Sequence, residues 1–321
     1  MICRICGNGE GNREYDVREM MYGFRDLFRY FRCSGCGCLQ IAEIPSDIAR
    51  YYPDGYYSLA SGPEKPSPGA WKKRWMRLRY GPVVFGDGSA RKLLNALFPN
   101  KGLQFLHLLS LSLNRDMSIL EAGCGSGGLL YFFAEMGIRN VLGADPFIGK
   151  DIEYRNGLKI LKKEIGEVGG AWDLVMFHHS LEHIPSQVET MRAVSRLLKP
   201  DGRCLVRIPI CSSYAWERYG VHWVQLDAPR HFYLHSFDSM KRLAALAGLE
   251  VCRVVHDSTA FQLWGSEQYL RDIPLRDKRS YSCGRKNSVF SLREMQAFKR
   301  RTKELNREGK GDQAIFCLKK A

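Results

Sequence analysis

Residues 119–128 read ILEAGCGSGG. An apolar run that stops abruptly at glycines marks a strand giving way to a turn. Gly123, Gly125 and Gly128 fall on the G-x-G-x-x-G spacing of a dinucleotide-binding turn. Such glycines let backbone amides at a helix N-terminus approach a ligand closely. The spacing alone does not say which ligand.

Working outward, strand-like and helix-like segments alternate, the pattern of a parallel sheet with helices on both faces. SILEAGC (118–124) reads as the first strand and GGLLYFFAEMG (127–137) as the helix after the turn. NVLGAD, GLKIL and AWDLVMFHH follow as strands two to four, then SQVETMRAVSRLL as a helix running into a turn at KPDG (199–202). RCLVRIPI is the fifth strand, FDSMKRLAALAGL a helix and LEVCRVVHD the sixth strand. The last strand, QAIFCLKK (313–320), follows a helical excursion containing LREMQAFKRRTKEL.

Glu121, two residues before Gly123, narrows the ligand. A carboxylate there repels a pyrophosphate but attracts an ammonium or sulfonium; it could equally bond the loop's own amides. Asp145, at the end of the second strand, suits the ribose of either a dinucleotide or S-adenosylmethionine. A dehydrogenase would also need a hydride-acceptor site, for which the sequence offers no candidate.

Together, ILEAGCGSGG, GADPF (143–147), AWDLVMFHHSLEHI (171–184) and LLKPDGRCLVRIP (197–209) resemble the successive motifs of class I S-adenosylmethionine-dependent methyltransferases. The resemblance covers about 118–320 and implies a Rossmann-like seven-stranded sheet ending in an antiparallel hairpin. It further implies that Gly123, Gly125 and Gly127 line the methionine end of the cofactor and Asp145 holds its ribose. Glu164 and Ile165 would border adenine, and His178 would lie near the transferring methyl.

Upstream, Cys3-x-x-Cys6-Gly7 and Cys33-x-x-Cys36-Gly37 repeat one step twice. That is the spacing of a four-cysteine zinc ribbon, in which four thiolates close a tetrahedral Zn2+ shell and leave no position for catalysis. A redox Cys-x-x-Cys pair is the other reading, disfavoured by two copies outside a βαβ pattern. Cys38 is a spare thiol able to replace Cys36. YYPDGYYS (51–58) follows, and its tyrosines, Tyr56 and Tyr57 among them, either face a polar ring-shaped substrate or pack on the ribbon. The composition of 60–69 is that of a linker. WKKRWMRLRYG (71–81) interleaves cations and aromatics. It suits an anionic membrane surface, RNA phosphates, or a solvated helix anchored by tryptophan.

The expected organisation is thus a ribbon and tyrosine-rich unit over 1–60, a linker and helical segment over 61–114, and a methyltransferase domain over 115–321 with a helical insertion at about 257–311. Zinc ribbon, tyrosine-rich turn and sheet in this order are similar to the methyltransferases of nucleotide-linked deoxysugars and their relatives in surface-polysaccharide synthesis. That resemblance implies a His-Glu-His-Phe run supplying a base. Here LDAPRHFYLHS (226–236) keeps His231 and Phe232 but has Arg230 in place of the glutamate. The departure weakens carbon methylation, which leans on the acid and histidine pair, whereas a hydroxyl needs one base. His231 and His183 are the candidate bases, with His179 behind them; His183 could instead fix its loop with Glu182. Arg230 is the candidate for a nucleotide-sugar diphosphate.

Composition sets the outer bounds. The 321 residues, 45% of them hydrophobic, can bury one sizeable core and a smaller one. The apolar stretch LQFLHLLSLSL (103–113) is too short to cross a bilayer, and the first residues carry no targeting pattern. A cytoplasmic protein is expected, with its eleven cysteines reduced and Cys204, Cys252 and Cys317, each in an apolar run, as small buried thiols. A net charge of +14 favours an anionic partner. An RNA methyltransferase would use it, but the Asn/Asp-Pro-Pro-Tyr/Phe signature of base amino groups is missing, with IPICSSY in its place. A non-catalytic scaffold on a retained cofactor fold is the remaining alternative.

Overall fold

The computed structural model describes residues 1–53, 69–86, 97, 103, 106, 109, 111, 113–284 and 288–321. Tyr56, Tyr57 and most of the expected linker lie outside these.

Three short strands open the chain: β1 (Arg13–Arg18), β2 (Leu27–Arg32) and β3 (Leu39–Ile41), paired antiparallel in that order. A helix, α1 (Ala70–Val84), precedes the main sheet. Then come β4 (Ser118–Ala122), α2 (Gly128–Met136), β5 (Asn140–Ala144), the two-residue β6 (Ile152–Glu153) and β7 (Lys159–Leu161). β8 (Trp172–His178), α3 (Gln187–Leu197) and β9 (Leu198–Pro209) follow, then α4 (Tyr214–Tyr219) and β10 (Tyr233–Leu234). The chain ends with α5 (Phe237–Leu246), β11 (Leu249–His256), α6 (Phe261–Leu270), α7 (Leu292–Arg307) and β12 (Gln313–Lys320).

The large sheet runs β11-β12-β9-β8-β4-β5-β7-β6. Five central strands are parallel, and β12 inserts antiparallel between β9 and β11. This is the expected Rossmann-like arrangement with its terminal hairpin, and the eighth strand is the short antiparallel edge β6. The chain leaves β4 toward β5 on one side and returns to β8 on the other. The loops after β4 and β8 therefore flank the switch point where such sheets bind ligands.

KPDG is not a turn between helix and strand. α3 ends at Leu197 and β9 begins at once, with a register shift opposite Trp172 and Leu174. Gly202 lies against the Trp172 and Lys199 carbonyls, where a Cβ would stand only 2.8 and 3.0 Å from their oxygens.

The N-terminal sheet does not close on its own sequence. Its fourth strand is β10, with Tyr233 opposite Gln40 and Leu234 opposite Leu39. Tyr30 donates its hydroxyl to the His231 carbonyl at 2.8 Å. Tyr30, Phe31, Leu39 and Ile41 share one buried cluster with Phe232, Leu234 and Val206. Residues 1–53 are thus packed into the same core as the sheet.

Candidate functional site

The glycine turn takes its shape from its surroundings. Gly123, Gly125 and Gly127 all have positive φ. A Cβ on Gly123 would collide with Ser180, and one on Gly127 with Ile160. Gly128 has open space around it and begins α2, so Gly127 is the third glycine the backbone requires. Ser180 donates to the Ala122 carbonyl at 2.7 Å, and Tyr154 to that of Ser126 at 2.7 Å, fixing the turn from both sides. Asp145 accepts the amides of Gly125 (2.8 Å) and Phe147 (2.9 Å). Each carboxylate oxygen keeps a second lone pair for a hydroxyl.

Glu121 is buried behind the turn, and its Oε2 has no hydrogen-bond partner among the described residues. Burial pushes its carboxyl up to about 8. An unpartnered buried acid beside a bare glycine backbone fits a cationic amino-acid group, whose arrival would let it ionise. From pH 4.5 to about 8 the folded protein keeps a proton that the unfolded chain has lost. Stability therefore falls as pH rises through that window, by roughly 1.4 kcal/mol per pH unit at most. Glu121→Gln is expected to flatten this slope in thermal melts; an unchanged slope would remove Glu121 as its source.

Glu164, exposed, caps the short turn Ile165–Glu167. His178 closes β8 opposite Arg207, and burial, then the Arg207 charge, holds it well below the usual imidazole range.

A concavity of about 250 Å3 is lined by Met21, His179, His183, Gln225, Asp227, His231, Phe261 and Arg276 among others. The expected base candidates thus meet in one place. His231 is held through Nδ1 by the Gln225 carbonyl at 2.8 Å, with its Nε2 at 3.9 Å from Asp227. His183 lies edge-on to it, ring centroids 4.7 Å apart, its Nδ1 against the Arg230 carbonyl (2.8 Å) and the Tyr52 hydroxyl (3.2 Å). Burial, then His231, lowers His183 to about 4. Glu182, fully buried, has its Oε1 3.6 Å from His179 Nδ1. Burial alone would raise Glu182, but His179, His183 and His231 together hold it below the ordinary carboxylate range.

Arg230 occupies a different place from that expected. It is fully buried, pairing with Glu19 (2.8 Å) and Asp227 (2.6 Å) and donating to the Tyr51 carbonyl (3.0 Å). Glu19 in turn accepts the amides of Tyr22, Gly23 and Phe24. A guanidinium so engaged, and with no exposure to solvent, is not presented to a diphosphate. The exposed cation lining the concavity is Arg276. Asp227, Gln225 and Arg276 complete the site without having been anticipated, and Tyr52 joins it through His183. Tyr52 belongs to the tyrosine-rich turn that the sequence had offered as a substrate-facing element.

Two groups among the described residues offer three or more metal-ligand atoms within 4.8 Å of one another: Cys3, Cys6, Cys33 and Cys36, and Glu182, His183 and His231. In the first, Cys3 and Cys36 sulfurs are 3.6 Å apart and those of Cys6 and Cys33 3.5 Å. Gly7 and Gly37, both at positive φ, return their amides to the Cys3 and Cys33 carbonyls at 2.9 Å. Gln40 donates to the Cys3 sulfur at 2.8 Å. Cys38 is buried outside the group and does not substitute for Cys36; Cys204 and Cys317 are buried as expected, whereas Cys252 is exposed.

Residues 94–254 match the family model described as "Methyltransferase domain". The chain is 28% identical over 158 residues to the ubiquinone biosynthesis O-methyltransferase of Pseudomonas aeruginosa, covering 43% of this chain and 66% of that one. The enzyme of the same name from Colwellia psychrerythraea is 34% identical over 98 residues, 27% of this chain and 39% of that one. In both cases the chain spans less than two thirds of the relative's length. Among solved structures, mycolic acid cyclopropane synthase CmaA1 complexed with SAH and CTAB superposes with a TM-score of 0.45 at 19% identity, covering 68% of this chain and 83% of that one. No helix among the described residues is long and apolar enough to cross a membrane.

Proposed function

We propose, from the premise that the chain belongs to the methyltransferase-domain family and is S-adenosylmethionine-dependent, that it methylates a hydroxyl of a small ring-shaped acceptor, a sugar or nucleotide-linked sugar. The observation that carries the reading is the pair His231 and His183 facing one concavity with Asp227 at its wall. When bound, the cofactor supplies an electrophilic methyl; Glu121, the three glycines and Asp145 are the residues suited to hold it. His231 takes the acceptor's proton on Nε2, its Nδ1 proton being directed at the Gln225 carbonyl. Asp227 and Glu182 stabilise the imidazolium that results. His183, neutral above about pH 4, orients the acceptor rather than taking its proton.

Transfer to oxygen is supported by Arg230 standing where a second acid would assist carbon deprotonation, and by the O-methyltransferase names of the relatives. With Arg230 engaged internally, the anionic part of the acceptor falls to Arg276. Mass spectrometry of nucleotide-sugars and surface glycans from cells with and without the gene tests the reading. Loss of one methyl increment from a single species supports it; unchanged glycans with altered RNA overturn it.

The four cysteines are proposed to hold one structural Zn2+. Zinc–sulfur bonds of about 2.3 Å place tetrahedral sulfurs roughly 3.8 Å apart, close to the separations present. Elemental analysis is expected to give one zinc per chain in the wild type and none in Cys33→Ser, with a lower melting temperature. Zinc retained in that variant would contradict the assignment.

A further inference from the structure

Helix α1 holds the protein with one face and offers another, of quite different chemistry, to the outside. On the inner face Lys73 pairs with Glu135 at 3.0 Å and Arg77 donates to the Glu135 carbonyl at 3.1 Å. Tyr80 packs edge-on against Phe132, and Val83 and Val84 are buried. At 100° per residue Trp71, Trp75 and Leu78 fall within about 60° of arc on the opposite side. They are 85%, 54% and 68% exposed. Arg74 borders this stripe on one side and Lys72 and Arg79 on the other. The Arg79 guanidinium lies 5.0 Å over the Trp75 ring.

Beside the stripe is a groove of about 440 Å3 lined by Lys73, Arg74, Arg77, Leu78 and Arg115. Every polar side chain lining it is cationic. Glu135 answers Lys73 from beneath, and Arg74 has no acidic partner among the described residues.

We propose that α1 docks on a membrane surface rich in anionic phospholipid. Trp71, Trp75 and Leu78 enter the interfacial layer, and the groove between Arg74, Arg77 and Arg115 receives phosphate headgroups. Three exposed apolar side chains flanked by cations are the chemistry of an interfacial anchor, with indoles at the headgroup level and cations toward the phosphates. A polynucleotide would meet protruding indoles where its phosphates need cations. A second copy would bring the same cations face to face on a chain of net charge +14. The proposal does not depend on the acceptor reading, and vesicle binding can fail or succeed whatever the acceptor is.

The test is flotation of the full-length protein with vesicles of phosphatidylcholine alone and of phosphatidylcholine with phosphatidylglycerol in equal parts. Binding to the mixed vesicles only is expected, with a blue shift of tryptophan emission. Trp71→Ser combined with Trp75→Ser should lower the partition about tenfold and remove the blue shift, at an unchanged melting temperature. Arg74→Glu should lower it about fivefold or more, the value of one cation at an anionic surface. No binding by the wild type, equal binding to both vesicles, or full binding by the tryptophan variant would overturn the proposal. So would release of bound protein by inorganic phosphate at unchanged ionic strength, which would make the groove a site for free phosphate. RNA binding lost in Arg74→Glu, without vesicle binding by the wild type, would assign the face to nucleic acid instead.

Discussion

His231→Ala is expected to lower kcat by about 10²–10⁴-fold, the usual contribution of a positioned general base. Cofactor affinity measured by calorimetry should be unchanged, because Glu121 and the glycine turn remain intact. The expectation rests on geometry: Nδ1 is held by the Gln225 carbonyl, so Nε2 is the atom left for the acceptor. Asp227, 3.9 Å from Nε2, is the nearby carboxylate that would steady a protonated ring. His231→Gln keeps much of the polarity without the basicity and should fall equally far. A variant retaining most of its kcat would move the base to His179. His183→Ala should act mainly on KM, since His183 anchors through Tyr52 and the Arg230 carbonyl and stays neutral above about pH 4. The sign of its pH effect follows. Burying His183 neutral contributes stability that is complete above pH 6.5 and is lost as pH falls toward about 4.

The parallel sheet was legible because its strands are apolar runs ended by glycine or by polar turns, and the end of β4 was the clearest of them. There Gly127 replaced Gly128 as the third working glycine, and the collision a Cβ would make with Ile160 gives the physical reason. The histidines stood out as candidates because an imidazole suits proton transfer near neutral pH, and the fold brings His179, His183 and His231 to one concavity. What could not be read was tertiary. β10 is two residues long, too short for any periodicity, and becomes a strand only because β3 offers it a partner nearly two hundred positions away. KPDG has turn composition, yet the sheet takes it in as an irregularity within β9. Asp227 and Arg276 gave no signal, since single charged residues in loops are common and their neighbours in space are distant in sequence.

Arg230 illustrates the same limit and leads to the largest expected loss of stability. As a sequence position it invited an anionic ligand, because nothing nearby in the chain announced Glu19. In the fold it stands between Glu19 and Asp227 and pairs with both, one guanidinium to two carboxylates, with no exposure to water. Removing one member of such a set leaves uncompensated buried charge, so Arg230→Met is expected to cost about 3–5 kcal/mol in chemical denaturation. The damage should spread to the site, because Asp227 faces His231 and the Arg230 carbonyl anchors His183. Glu19 also gathers the turn at Tyr22–Phe24, so the N-terminal sheet should loosen with it. Combining Arg230→Met with Glu19→Gln and Asp227→Asn should recover part of the stability, since an apolar or neutral replacement of a whole buried network is tolerated better than half of one. It should not recover kcat, because Asp227 would no longer carry the charge that His231 is proposed to use. Recovery of both would make the network purely structural, and recovery of neither would mean that Arg230 acts through its packing over Tyr22.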